Sequence, residues 1–367
     1  SNQRLSTLTV DFVYNNNAST PLDSLWIYLL HNSEVTDSVQ SNLDGDYSFF
    51  GQANDTYIIN ATTGKPWAGV NGTDALKIQR HFAGLELLTE PIRLQAADVN
   101  NSGSVNGTDA LKVKRRFAGL DNSFTRGDWT FAKPVIGGDS VIISGSNVIQ
   151  NFYGLCVGDV NGSNTPSSGD QLLSGNVQIV HRGEINVCPG CEFALPLRMS
   201  SQLNINAISL VIVYPSDLLE VLSIHTLKGE PAYTARNNEI RIAWSELQSL
   251  KLAADDTLIL LKLKATNKLV DGISVDLEAT YESELADESG NVLPAVQLLA
   301  VTIKASTWTG FDETNSIIQQ CRIYPNPASD IINIELSALN SATLNIQITD
   351  MLGRILFIDK PYSMAPG

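Results

Sequence analysis

Cysteine, methionine and histidine are scarce in this 367-residue chain, with four, three and four copies. Four cysteines are too few for a disulfide scaffold. Cys188-Pro-Gly-Cys191 has CxxC spacing around a turn, but no βαβ pattern surrounds it to make a redox motif. A second CxxC, which a zinc site would need, is missing. The pair reads as a turn-closing disulfide or as two free thiols. His31, His81, His181 and His225 are scattered, and neither HExxH nor GxSxG occurs. No run of about 20 apolar residues suggests a membrane-spanning helix. Basic residues are the minority, 24 against 39 acidic, for a formal charge of -15. That removes the basic footprint a nucleic-acid partner requires. No basic, apolar leader opens the sequence. Ser1-Asn2 reads as a tag remnant, with a signal peptide expected to have been removed upstream.

What is present is modular. The length suits two to four domains, and 43% hydrophobic residues lets each bury a core. Leu8-Thr-Val-Asp-Phe-Val-Tyr14, Leu25-Trp-Ile-Tyr-Leu-Leu30 and Tyr57-Ile-Ile-Asn-Ala61 alternate with period two, and Asp44-Gly45 marks a turn into a strand. Residues 1–62 are therefore expected to form a small Ig-like β-sandwich. The segments Asp44-Gly45-Asp46-Tyr47-Ser48-Phe49 and Thr56-Tyr57-Ile58 resemble the Cna-B or carboxypeptidase-regulatory-like family, whose modules commonly act as spacers.

An internal repeat follows. Val70 to Leu85 recurs as Val105 to Leu120, thirty-five residues on, so that Asp74 answers to Asp109 and Phe82 to Phe117. Each copy predicts a helix ended by glycine, with Leu76, Ile78, Phe82 and Leu85 as the buried face of the first. Phe152, Gly154 and Leu155 echo Phe117, Gly119 and Leu120 a third time.

Before the second helix, Asp98 to Asp109 has the spacing of a calcium loop. Asp98, Asn100, Ser102, Asn106 and Asp109 offer oxygens at loop positions 1, 3, 5, 9 and 12, Ser104 offers its carbonyl at 7, and Gly103 allows the sharp turn at 6. A hard cation needs six to eight oxygens at about 2.3–2.6 Å, and this spacing wraps them round one point. An Asx-rich turn that only caps the helix is the alternative. The first copy keeps Asn71 and Asp74, while Thr62 to Gly69 has lost the acids. Either backbone carbonyls such as that of Gly69 serve a cation there, or Trp67 packs down over the place. A third candidate runs from Asp159 through Asn161, Ser163, Thr165 and Ser167 to Asp170, with Pro166 and Gly175 spoiling a helical exit.

The paired DVNxxGxVNxTDALxxxRxxAGL pattern resembles the type I dockerin family, giving an EF-hand-like, calcium-binding helical pair expected to span 63–175. That resemblance implies Ca²⁺ as the cofactor and a cohesin as partner. It also implies contact residues Gly72, Thr73, Gln79 and Arg80 on one copy and Gly107, Thr108, Lys114 and Arg115 on the other. The two faces imply two binding orientations related by a pseudo-twofold axis. The bland alternative is a solvated basic helix face. Residues 176–306 change to strand-length Val, Ile and Leu runs, which imply a β-sandwich. Ile208 to Val221, Ile240 to Trp244 and Leu285 to Leu293 resemble a cohesin-like jelly roll. Acidic stretches such as Glu282 to Glu288 would complement the basic helices. After a polar linker at 307–320, residues 321–367 carry Ile323-Tyr-Pro-Asn-Pro327 and Asp350-Met-Leu-Gly-Arg354. They resemble a partial type IX secretion sorting domain of Bacteroidetes, which implies the export machinery as a partner and a secreted or cell-surface location.

The fold expected is thus multi-domain and mainly β, and the function a non-catalytic, calcium-dependent protein–protein assembly region. The partners are cohesin-like or dockerin-like domains of the same or other chains, with no nucleic acid and no membrane insertion. Two other readings stand beside it: a calcium-rigidified stalk, and a carbohydrate-binding module using Trp244 or Tyr214.

Overall fold

The computed structural model describes residues 5–134, 139–166, 177–181, 183, 185–293, 296–299, 301–305 and 332, and further strands at 318–324, 333–338, 342–344, 347–349, 355–358 and 362–364. The first strand, β1 (Ser6–Tyr14), keeps the alternation read from its sequence, with Leu8, Val10, Phe12 and Tyr14 fully buried. It is followed by β2 (Trp26–His31), β3 (Glu34–Gln40), β4 (Asp46–Gln52) and β5 (Thr56–Thr62). Three helices then intervene: α1 (Gly72–Phe82), α2 (Pro91–Ala97) and α3 (Gly107–Phe117). The chain returns to strands at β6 (Trp129–Ala132), β7 (Ser140–Ile142) and β8 (Val148–Cys156).

These strands build one sandwich, with sheets ordered β4-β1-β8-β6 and β3-β2-β5-β7. Residues 129–156, expected to extend the helical module, instead complete the sandwich that residues 1–62 begin. The reason is edge protection: β8 runs parallel along β1 from Leu8 to Tyr14, and β7 covers β5, two edges that five strands would leave open. Phe152, Gly154 and Leu155 are accordingly strand residues, not a third helix. Phe152 stacks on Phe12 with ring centroids 4.9 Å apart. A Cβ on Gly154 would fall 2.5 Å from Leu22 Cδ1, which explains a glycine inside a strand.

Both repeat helices start and stop by the same devices. Asn71 and Asn106 cap them, each accepting from the threonine two residues on, and Asp74 and Asp109 reach back to the cap amide. At the far end, Leu85 N donates to Arg80 O and Leu120 N to Arg115 O, around Gly84 and Gly119 at positive φ. The repeated Ala-Gly-Leu is thus a helix-ending turn that only glycine enters without strain. One face of the hairpin joins the first core, where Ala75, Ile78, Ala110 and Val113 pack with Phe12, Val157 and Val160.

The second sandwich opens with β9 (Val177–Val180), β10 (Ile185–Val187), β11 (Glu192–Met199), β12 (Leu203–Val213), β13 (Leu219–Thr226) and β14 (Ala232–Arg236). It closes with β15 (Glu239–Leu252), β16 (Thr257–Ala265), β17 (Ser274–Ala279), β18 (Glu284–Ala286), β19 (Val296–Leu298) and β20 (Val301–Ala305). Its sheets run β10-β20-β17-β12-β15-β14, with β18 beside β12, and β13-β16-β11-β9-β19. Cys188 and Cys191 form a disulfide across their turn with Cα atoms 5.3 Å apart, which selects one of the two readings of that CxxC. In the C-terminal segment, Ile318–Tyr324 pairs antiparallel with Asn333–Ala338. Pro325 to Pro327 and Asp350 to Arg354 lie outside the described residues.

Because Phe152 ties the late strand β8 to Phe12, Phe152→Ala is expected to destabilise the first sandwich by about 3–5 kcal/mol. Denaturant unfolding of the whole chain measures this, and an unchanged midpoint would place β8 outside that core.

Candidate functional site

In the loop before α3, the backbone draws the oxygens inward. Asp98 Oδ1 accepts from Ser102 N at 2.8 Å, and Asp98 Oδ2 from Gly103 N at 2.9 Å. Asp109 bridges the two ends, accepting from Asn100 N at 3.3 Å and Asn106 N at 3.0 Å. Ser102 Oγ donates to the Ser104 carbonyl at 3.2 Å. Gly103 sits at φ +85°, as the turn requires. Burial would raise the Asp98 carboxyl, but the Gly103 and Ser102 amides and the Arg126 guanidinium at 2.6 Å outweigh it and hold it below the usual range. Asp109, without a cationic neighbour of that kind, is raised by its burial. Asn106 Oδ1 is turned to the helix cap, toward Thr108 N at 2.8 Å.

In the first repeat Trp67 does not lie over Asn71 and Asp74. Trp67 packs beneath Arg116, whose guanidinium lies 3.7 Å from its ring centroid, and donates to Val157 O at 2.8 Å. It leaves Asn71 and Asp74 to another neighbour, the segment after β8. Asn161 N donates to Asp74 Oδ1 at 3.1 Å, and Ser163 Oγ to the Gly69 carbonyl at 2.9 Å. Asp159, Asn161 and Ser163 therefore turn toward the first repeat. Thr165 is described beyond them, while Ser167 and Asp170 lie outside the described residues. Asp74 and Asp159 are both fully buried, and burial raises both carboxyls. Among the described residues no cluster of three or more His, Cys, Asp or Glu side chains gathers for a metal. Both sites instead mix carboxylate, amide, hydroxyl and carbonyl oxygens, a donor set that suits a hard cation.

The opposite face of the hairpin lies on the second sandwich. Leu76 is buried against Ala207 of β12 and Ala286 of β18, and Phe117 against Val211 and Ala243 of β12 and β15. Removing a leucine side chain from water in this way stabilises the contact by about 1.5–3 kcal/mol. Gly72 N donates to Ser209 Oγ at 2.8 Å, and a Cβ there would fall 2.9 Å from the Ile208 carbonyl. Thr73 Oγ1 donates to Glu284, and Arg80 to the Glu288 carbonyl. At the other end Lys114 Nζ reaches Ser245 O at 3.5 Å, Thr234 Oγ1 donates to Ala118 O at 2.5 Å, and Arg236 donates to Gly119 O. Burial pushes the Glu284 carboxyl up and the Lys114 ammonium down.

Of the contact residues read from the repeat, Gly72, Thr73, Arg80 and Lys114 meet the sandwich. Gly107 has open space around it, Thr108 is exposed, and Arg115 pairs with Asp121 at 2.8 Å. Gln79 keeps its side-chain oxygen buried without a hydrogen-bond partner. Phe82 and Leu85, expected in the first helix's buried face, are exposed, because that helix docks through its amino-terminal half. The acidic 282–288 stretch contributes Glu284 and a backbone carbonyl, while Glu282 pairs with Arg241 of its own sandwich. Sequence reading did not single out the receiving residues Ala207, Ser209, Val211, Ala243 and Ser245. Their signal was a pair of runs, Ala207 to Ile212 and Ile242 to Ser245, with no exposed polar alternation.

Residues 69–118 match the family described as the dockerin type I domain. Residues 322–363 match the secretion system C-terminal sorting domain. Among solved structures, the chain is similar to a non-cellulosomal cohesin from the hyperthermophilic archaeon Archaeoglobus fulgidus, at 18% identity and a TM-score of 0.31, over 36% of this chain and 93% of that one. It is also similar to the seventh ScaB type I cohesin from Pseudobacteroides cellulosolvens, at 13% identity and a TM-score of 0.32, over 37% and 96%. No curated relative matches the chain. The sorting domain marks the chain for export by type IX secretion, and among the described residues no helix is long and apolar enough to cross a membrane.

The dockerin-like hairpin offers a matched pair of substitutions. Gly72→Ala would press a methyl into Ser209 and the Ile208 carbonyl, whereas Gly107→Ala enters open space. Gly72→Ala is expected to weaken the contact by about 1–3 kcal/mol and to speed amide hydrogen exchange across 72–76. Gly107→Ala is expected to leave that exchange unchanged.

Proposed function

We propose that this chain is a calcium-dependent assembly region of an exported bacterial protein, in which the dockerin-like hairpin occupies the cohesin-like sandwich of its own chain. The observation that carries the reading is the seating of Gly72, Thr73 and Leu76 on Ser209, Glu284 and Ala286. Docking-type contact residues of the repeat meet a sheet face made of small side chains, and that face has no other cover among the described residues. Calcium enters through Asp98, Asn100, Ser102, the Ser104 carbonyl and Asp109, with Asn106 at the cap. Bound there, it neutralises two carboxylates and fixes the amino end of α3 against the turn before it. No catalytic role is proposed.

The rival readings differ in what they require. A rigid stalk keeps the same contact but never opens it to exchange with another partner. Carbohydrate binding through Trp244 or Tyr214 needs an open aromatic face, and both rings are buried in the second core, with Trp244 Nε1 donating to Lys228 O at 2.6 Å.

The test is to cut the folded chain between residues 166 and 177 through an inserted protease site. The two halves are expected to co-elute in millimolar calcium and to separate when a chelator is added. Halves that part in calcium would remove the docking reading, and halves that stay joined in chelator would remove its calcium dependence.

A further inference from the structure

The first repeat lacks the acidic half of its loop, yet its cap residues are intact, and the segment after β8 lies against them. We propose that Asp159, Asn161 and Ser163 complete a split calcium loop with the Gly69 carbonyl, Asn71 and Asp74, its halves separated by the helical hairpin and three strands. The inference rests on the calcium reading of Asp98–Asp109, whose hydrogen bonds it reproduces apart from those to the Ser104 hydroxyl. Ser163 N donates to Asp159 Oδ1 at 3.0 Å and to Asn161 Oδ1 at 2.9 Å, as Ser102 N does to Asp98 at 2.8 Å and Asn100 at 3.0 Å. Asn164 N donates to Asp159 Oδ2 at 3.1 Å, as Gly103 N does to Asp98 Oδ2 at 2.9 Å. The Gly69 carbonyl receives Ser163 Oγ where the Ser104 carbonyl receives Ser102 Oγ. Asp74 accepts from Asn161 N and Asn71 N, as Asp109 does from Asn100 N and Asn106 N.

Two further observations point to an ion and not to a turn alone. The first is charge. Asp98 Oδ2 has the Arg126 guanidinium at 2.6 Å, but Asp159 Oδ2 has the neutral Tyr14 hydroxyl at the same distance. Among the described residues neither Asp74 nor Asp159 has a cationic side chain in salt-bridge range, although both are fully buried, and the half-buried Glu284 adds repulsion to Asp74. Like charges held together out of water are costly unless a cation compensates them. The second is space. A Cβ on Gly69, at φ +80°, would fall 2.6 Å from Asn164 Cβ and 2.9 Å from Asp159 Oδ2. Only bare backbone brings that carbonyl alongside the carboxylates. A divalent cation that prefers oxygen meets here the donor types of the contiguous loop.

The split loop therefore ties the end of β8 to the amino end of α1, and the next two residues of α1 are Gly72 and Thr73, which dock on the second sandwich. Occupancy of this loop, more than of the contiguous one, orders the docking end of the hairpin.

The chelator-stripped full chain titrated with calcium chloride in a calorimeter, with amide hydrogen exchange followed at 69–76, tests this. The wild type is expected to bind two ions and to gain protection at 69–76. Asp159→Asn is expected to lose one ion and that protection, while Asp98→Asn loses the other ion and keeps the protection. Asn161→Ala, a milder change, is expected to weaken the ion that Asp159→Asn removes by roughly tenfold. Two ions retained in both Asp159→Asn and Asn161→Ala would overturn the split loop, as would a wild type whose single ion is removed by Asp98→Asn. A wild type that binds no calcium would overturn the calcium reading as a whole.

Discussion

The amino end of α1 must satisfy three neighbours at once. Its cap carboxylate, Asp74, is fully buried against the segment that leaves the first sandwich. Its first amide, that of Gly72, donates into the second sandwich. Its third turn-forming partner is its own cap, Asn71, which holds Thr73 N. An eleven-residue helix has little intrinsic stability in water, and most of what holds it comes from packing. Here the packing lies on two sides, with Ile78 in the first core and Leu76 against the second sandwich. The hairpin thus acts as a wedge, and the placement of both sandwiches follows from how well that one helix end is satisfied.

The repeat was readable because its rules are local. An Asn-Gly-Thr-Asp cap and an Ala-Gly-Leu stop are written within a few residues, and both helices begin and end where those signals stand. The alternating strands of β1, β2 and β5 were legible for the same reason. What the sequence concealed is non-local. Nothing near Val148 announces that β8 will run parallel along β1, because that pairing depends on which sheet edges remain open once the early strands have formed. The third echo of the repeat was misleading in the same way, since phenylalanine, glycine and leucine at that spacing also suit a strand whose glycine faces Leu22 and Phe131.

The site residues divide along the same line. The turn at 98–109 could be read by counting, because the residues it draws together lie within twelve positions. The partners of Asn71 and Asp74 could not, although both halves were visible separately as an acid-poor copy and as an Asp-Asn-Ser run ending in an awkward proline. Neither half is a complete loop, and only the return of the chain after β8 brings them together. The receiving face was concealed by a familiar ambiguity. A strand buried on both faces reads as a continuous apolar run, and Ala207 to Ile212 is one, with its small residues turned toward the hairpin.

The two repeat helices are nearly identical in sequence, yet the structure treats them unequally, and the cause is not in the docking residues. Leu111, the counterpart of the buried Leu76, is 50% exposed, and Phe82, the counterpart of the buried Phe117, is 65% exposed. Rotating the hairpin about its pseudo-twofold axis would offer Gly107, Thr108 and Leu111 to the same sheet with little chemical change. It would also draw Asp74 away from Asn161 and exchange Ala75 and Ile78 with Ala110 and Val113 in the first core. The symmetry of the contact face is therefore broken from behind, by the sandwich in which the helices are embedded. Within this chain the orientation that seats the first copy is the one compatible with both packed faces, and the matching surface of the second copy is left open to solvent.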